Sequence, residues 1–209
     1  MCEIYIYAAF IGLASSSLIG EAMNPALIEF PDFLESERLV IRSPKFHDGK
    51  ELHKAICETF DDLNTWMPWA KELPDESKIK KFVKSKRSAF LERKDLVFLL
   101  FLKGTEILVG SSGLHPKDWK VPKFEIGYWC RKKFQNQGYI TESTMEITAF
   151  GFHQLNAERI EIHCDSKNVR SQKIPFKLGF CLEATLENDI RSNSGELRDR
   201  LIFSKVRSG

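Results

Sequence analysis

No CxxC pair, no HxxxH spacing and no GxGxxG loop occurs anywhere in the 209 residues. The five cysteines, Cys2, Cys57, Cys130, Cys164 and Cys181, are odd in number and far apart. They read as free thiols in a reducing cytosol, not as a disulfide framework. The histidines at 47, 53, 115, 153 and 163 have no ligand spacing, so no metal site is expected. Without GxGxxG there is no simple dinucleotide fingerprint. A basic excess is also missing: Lys+Arg number 31 against 29 Asp+Glu, for a net charge of +2. That balance argues against a dedicated nucleic-acid binder and leaves only a local basic patch at Arg131-Lys132-Lys133. Repeats and low-complexity tracts are absent too.

What the chain does have suits one globular domain. Hydrophobic residues make up 43% and charged residues 29%, enough for one substantial core and a solvated surface. The segment Ile4–Gly20 stands apart, being uncharged and largely apolar. It has no basic n-region, as a secretory signal would need, and it is broken by Ser15-Ser16-Ser17 and two glycines. A hydrophobic anchor, an extra packed helix and an extension upstream of a start at Met23 are the competing readings. We expect the last, with residues 1–22 as an extension and 23–209 as the domain. Stable membrane association is not expected.

Hydrophobic periodicity orders the rest. Leu39–Ile41 reads as a first strand. Asp48 caps a helix through Thr59, and Asp75 or Ser77 starts a second with Ile79, Phe82, Val83 and Phe90 on one face. The run Leu96–Leu102 is a buried strand, turned at Lys103-Gly104-Thr105 into a strand Ile107–Leu114. A loop from His115 to Pro122 follows. Phe124–Cys130 is a strand, Tyr139–Gln154 a long helix and Arg159–Cys164 a strand. Arg170–Leu178 is a short helix, and Phe180–Leu186 and Leu197–Ser204 form a terminal pair. The order implies a mixed α/β domain with a mostly antiparallel sheet and one strand-helix-strand unit.

The passage from Phe124–Cys130 into Gln135-Asn136-Gln137-Gly138-Tyr139 carries the chemistry. A helix start offers free N–H groups and the positive end of a dipole, which together favour a phosphate. Gly138 lets backbone approach a ligand closely. This segment resembles the phosphate loop of the GNAT acetyltransferase superfamily, Arg/Gln-x-x-Gly-x-Gly/Ala. Gln135 and Gly138 match, while Ile140 is larger than the usual third residue and would narrow the loop. Further matches resemble the RimJ/RimL-type branch, which acetylates protein N-termini. They are Ser36-Glu37-Arg38-Leu39, Glu125-Ile126-Gly127-Tyr128-Trp129, Thr141-Glu142-Ser143, Asn168-Val169-Arg170-Ser171 with Leu178-Gly179-Phe180, and Leu197-Arg198-Asp199.

The resemblance implies a single GNAT-like domain whose sheet is splayed at the cofactor site and flanked by helices. It implies acetyl-CoA as co-substrate and direct attack of an amine on the thioester. Tyr128, Trp129 and Cys130 would present backbone to the acetyl and pantetheine groups. Gln135 to Thr141, including Asn136, Gln137 and Tyr139, would hold the pyrophosphate. Asn168 would position cofactor and Ser171 would serve as acid near the sulfur, although Asn-x-x-Ser also caps a helix. Ile190 falls where the branch has a glutamate base, which leaves Asp189 beside it, or Glu125, as contenders. Direct transfer needs no thiolate, so Cys130 and Cys181 are not assigned as nucleophiles. Trp66, Trp69 and Trp119 would line the acceptor side or pack the core. A cytoplasmic enzyme acting on a protein N-terminus is expected, with a homodimer as the open possibility for its assembly. A small-amine acetyltransferase and a non-catalytic acyl-CoA sensor are the alternatives.

Overall fold

The computed structural model describes residues 25–207. The Ile4–Gly20 run, the boundary after residue 22 and Cys2 lie outside the described residues. Twelve regular elements follow a short 3-10 turn: β1 Phe33–Glu35, β2 Leu39–Arg42, α1 Gly49–Trp66, α2 Glu76–Leu91, β3 Leu96–Leu102, β4 Leu108–Asp118, β5 Lys123–Cys130, α3 Tyr139–Gln154, β6 Arg159–Asp165, α4 Val169–Lys177, β7 Cys181–Arg191 and β8 Leu197–Val206. The strands form one sheet in the order β1-β2-β3-β4-β5-β6-β8-β7. Every neighbouring pair is antiparallel except β5 and β6. Among the described residues, no helix is long and apolar enough to cross a membrane.

Strand alternation divides the core into two layers. Phe98, Leu100, Phe124, Ile126, Ile160 and Phe203 pack on one face against Ile147 and Phe150 of α3. Leu99, Phe101 and Leu108 pack on the other against Leu52 and Ile56 of α1 and Ile79 and Val83 of α2. The parallel pairing of β5 with β6 covers only Lys123↔Arg159, Phe124↔Ile160 and Glu125↔Glu161. Beyond Glu125 this ladder ends: β5 continues on β4 to Cys130 and β6 continues on β8 to Asp165, with no pairing between the two. This opening in the middle of the sheet is where the site forms.

Several features differ from expectation for identifiable reasons. Strand β1 is only three residues long, too short a run to announce itself in the sequence. Helix α1 runs past Thr59 to Trp66, drawn on by the buried Leu63 and halted before Pro68. The Asp48 side chain makes no cap bond; it accepts from Arg42 Nη1 and Nη2 at 2.8 and 2.7 Å and from the Lys45 N–H at 2.6 Å. Strand β4 extends through Asp118, so His115 is paired with Glu125 in the sheet and is not in a loop.

Candidate active site

The segment after β5 is held in place before it reaches any ligand. The Arg131 side chain is fully buried. Its Nε and Nη2 donate to Glu58 at 2.6 and 2.7 Å, and its Nη1 donates to Glu51 at 2.6 Å and to the Leu108 carbonyl at 3.1 Å. Hydrogen bonds donated to Glu58, then to Glu51, outweigh burial and hold the guanidinium firmly protonated, and Arg131 in turn lowers the Glu58 carboxyl. Arg131 is thus a tether between the loop and α1. It does not belong to a basic surface patch. The Lys132 N–H donates to Thr59 Oγ1 at 3.0 Å, adding a second tie to the same helix.

The chain then turns through two left-handed residues, Asn136 at φ 61 and Gly138 at φ 83. Asn tolerates this region better than most side chains, and glycine adopts it freely. Glu142 is the first to make an intrahelical bond, to the Gly138 carbonyl at 3.0 Å. The N–H groups of Tyr139, Ile140 and Thr141 therefore have no helical acceptor and stand at the positive end of α3. Ile140 does not crowd this loop. Its side chain is 7% exposed and packs in the α3 core layer.

The α3 start is locked to β2 through one carboxylate. Glu142 Oε1 accepts from Ser36 Oγ at 2.6 Å and from the Arg38 N–H at 2.8 Å, and Oε2 accepts from Arg38 Nε at 2.7 Å. Arg38 also donates to the Gln137 carbonyl at 3.1 Å and lies 4.2 Å from the Tyr139 ring centroid. Burial raises the Glu142 carboxyl, but Ser36 and Arg38 outweigh it and leave it below the ordinary value.

A cavity of about 620 Å³ lies at the end of β5, between the starts of α3 and α4. Its walls include Tyr128, Trp129 and Cys130 of β5, the loop residues Gln135, Asn136 and Gly138, the α3 residues Tyr139, Ile140 and Thr141, and Asn168 and Ser171. Lys167, Arg170, Lys173 and Lys177 add cationic side chains on the α4 side. An open set of N–H donors flanked by cations fits a pyrophosphate-bearing co-substrate. Gln135 spans the opening: Nε2 donates to Asp62 at 2.8 Å, and Oε1 accepts from Arg170 at 2.9 Å. Gln137 points back to the Lys133 carbonyl and is not in the wall.

Asn168 caps α4, its Oδ1 accepting from the Ser171 N–H at 3.1 Å. The Ser171 hydroxyl donates to Tyr128 Oη at 3.2 Å, and that phenol donates to the Ser171 carbonyl at 3.0 Å. Burial pushes the Tyr128 phenol far up, so it stays protonated. Burial also pushes the Cys130 thiol up to about 12 and the Cys164 thiol up to about 11. Neither supplies a thiolate near neutrality.

A second cavity, of about 410 Å³, lies between the sheet and the helices α1 and α2. Leu52, Ile56, Ile79 and Val97 make it apolar, and Trp69 and Phe82 stand at its mouth, 53% and 39% exposed. Met67, Tyr128 and Trp129 belong to the walls of both cavities. The two spaces therefore meet at the β5 backbone. Trp66 lines the larger cavity, whereas Trp119 packs edge-on against Phe124 at 5.0 Å. The β7–β8 hairpin is tied to the end of α1 by Asn193, which donates to the Asn64 and Met67 carbonyls at 2.7 and 3.0 Å.

The two carboxylates expected as bases lie elsewhere. Glu125 is bound to Lys117 at 2.6 Å and approaches His163 at 3.5 Å, and Asp189 is bound to Arg200 at 2.8 Å. Neither lines either cavity.

Comparison with known proteins agrees with this geometry. The family described as acetyltransferase (GNAT) domain matches residues 38–181. N-acetyltransferase p20 of Bacillus licheniformis, itself uncharacterised, is 26% identical over 176 residues, covering 83% of this chain and 96% of its own. The ribosomal-protein-serine acetyltransferase of Escherichia coli (strain K12) is 22% identical over 152 residues, covering 73% and 84%. Among solved structures, the microcin C7 self-immunity acetyltransferase MccE, in complex with acetyl-CoA and AMP, superposes with a TM-score of 0.75 at 23% identity, covering 82% of this chain and 93% of its own. With the matched segment spanning most of the fold, the chain belongs to the GNAT acetyltransferase family.

Proposed function

We propose that this protein transfers the acetyl group of acetyl-CoA to the α-amine of a protein or peptide N-terminus. The larger cavity takes the cofactor, with its pyrophosphate on the free N–H groups of α3 and its phosphates near the α4 cations. The pantetheine arm lies along the separated edge of β5 and brings the thioester to Tyr128–Trp129, where the two cavities meet. Backbone N–H at that edge polarises the carbonyl as the tetrahedral oxyanion forms. The Ser171 hydroxyl, joined to the protonated Tyr128 phenol, passes a proton to the departing sulfur. Acetyl-CoA in a relative's complex and the naming of another relative as a ribosomal-protein acetyltransferase favour this donor and this acceptor class.

The observation that carries the acceptor reading is the second cavity itself. It is apolar, it opens to the surface between two exposed aromatic residues, and Glu72 is the only carboxylate among its lining residues. A polycation would call for several acids there; the first side chain of a peptide suits an apolar wall. Thiol release from acetyl-CoA, measured against peptides with different first residues and against polyamines and amino sugars, tests the reading. The expected result is turnover of peptides with an apolar or small first residue. Turnover confined to the small amines would replace the acceptor while leaving the donor in place.

A further inference from the structure

The attacking amine must lose a proton, and neither Glu125 nor Asp189 borders the cavity where it would sit. His115 does. Its Nδ1 lies 2.5 Å from Asp95 Oδ1, and Lys86 Nζ holds the other Asp95 oxygen at 2.6 Å. The imidazole folds back across two glycines that face one another in register on β4 and β5. A Cβ on Gly113 would lie 2.6 Å from both Cε1 and Nε2 of His115, and one on Gly127 would lie 3.5 Å from Nε2. No other residue type at 113 would leave the ring this place. Nε2 thus reaches over the sheet at Gly127, two positions from Trp129. That is roughly 7 Å along a strand, beyond the ~5.6 Å that one water spans with two hydrogen bonds and within the reach of a chain of two waters.

We infer that His115, oriented by Asp95, is the proton acceptor for the substrate amine, acting through a short chain of waters. Asp95 accepts the Nδ1–H, which fixes the tautomer and leaves Nε2 with its lone pair. Asp95 is the positioning residue. Burial raises its carboxyl, but His115 and Lys86 outweigh that and keep it ionised. The other charged groups facing this corner are Glu125 from β5, already bound to Lys117, and Glu72 and Lys78 at the cavity wall. In the reaction the ammonium gives one proton through water to Nε2. The neutral nitrogen then forms the C–N bond to the thioester carbon. The C–S bond breaks as the oxyanion collapses, and the second amine proton reaches the CoA thiolate through Ser171. His115 finally returns its proton to solvent.

The inference rests on amine acetylation and not on which amine is used, so it is tested on whichever acceptor the wild type turns over. The pH profile of kcat/KM and the CoA affinity by calorimetry are measured for wild type, His115→Gln, Asp95→Asn and Gly113→Ala. His115→Gln is expected to lower kcat/KM about 100-fold or more and to abolish its decline at acid pH, with CoA affinity kept. Asp95→Asn is expected to displace that limb on the pH axis with a smaller loss of kcat/KM. A His115→Gln enzyme that binds CoA normally and keeps kcat/KM within about 3-fold, acid limb included, overturns the inference. Should His115→Gln fail to bind CoA, Gly113→Ala decides, since it displaces the ring without removing it: a fall of about 10-fold or more at unchanged CoA affinity supports the role, and unchanged activity overturns it. Wild type active on small amines but on no peptide contradicts the proposed acceptor and leaves the His115 comparison intact.

Discussion

Glu142 joins two short motifs that lie far apart in the chain. Ser36-Glu37-Arg38 and Thr141-Glu142-Ser143 look unrelated on the page; in the fold, one carboxylate accepts from Ser36 and Arg38 and fixes the start of α3 against β2. Its folded carboxyl is lowered from 4.5, so its contribution is fully present above that value and is lost as pH falls through the lower folded one. Glu142→Gln should therefore destabilise the protein by about 1.5–3 kcal/mol at neutral pH, the range for hydrogen bonds to a charged group. The difference from wild type in urea unfolding should shrink below about pH 4.5 and persist above it. Gly138 acts at the same scale by its positive φ. Gly138→Ala forces a side chain into the left-handed region, 3.4 Å from Arg38 Nη2, and should weaken CoA binding about 10-fold by calorimetry. Single side chains were also where the sequence was least legible. Arg131 reads as one of three surface cations until Glu51 and Glu58 of α1 are seen around it, and Asp48 reads as a cap until Arg42 claims its carboxylate. Which way a charged side chain turns depends on partners that local spacing does not reveal.

At the level of elements, periodicity and punctuation did most of the work. The bounds of β3 and α3 were readable from the uninterrupted run Leu96–Leu102 and from Gly138 before a long apolar-rich segment. The end of β4 was not, because Pro116, Lys117 and Asp118 resemble a loop. That stretch pairs with β5 through His115↔Glu125 and Pro116↔Phe124, and the pairing brings His115 to the acceptor cavity. The loop before α3 depends on α1 in the same indirect way. Arg131→Met should cost about 2 kcal/mol in chemical denaturation. That is less than the ~3–5 kcal/mol for breaking a fully buried pair, because Glu51 and Glu58 can rehydrate at 29% and 35% exposure. It should also loosen CoA binding, since it unties the loop from α1 without touching any cavity wall.

Across the whole molecule, the sheet opens between β5 and β6 and two cavities meet at the same stretch of β5, sharing Met67, Tyr128 and Trp129. This arrangement was legible only through family resemblance: strand order and the point where two parallel strands part are set by tertiary pairing. It also explains why the candidate bases could not be chosen from sequence, since Glu125 and His115 are register partners and only His115 lines the cavity. If acetyl passes across the junction at Tyr128–Trp129, donor and acceptor must be bound together for the thioester to break. The direct measurement is initial-rate thiol release with acetyl-CoA and peptide varied together, with mass spectrometry to locate the product acetyl group. The account predicts saturation in both substrates, intersecting double-reciprocal lines and acetyl on the peptide α-amine. Parallel lines from a covalent acetyl-enzyme, or CoA binding with no amine acetylated at all, would contradict it.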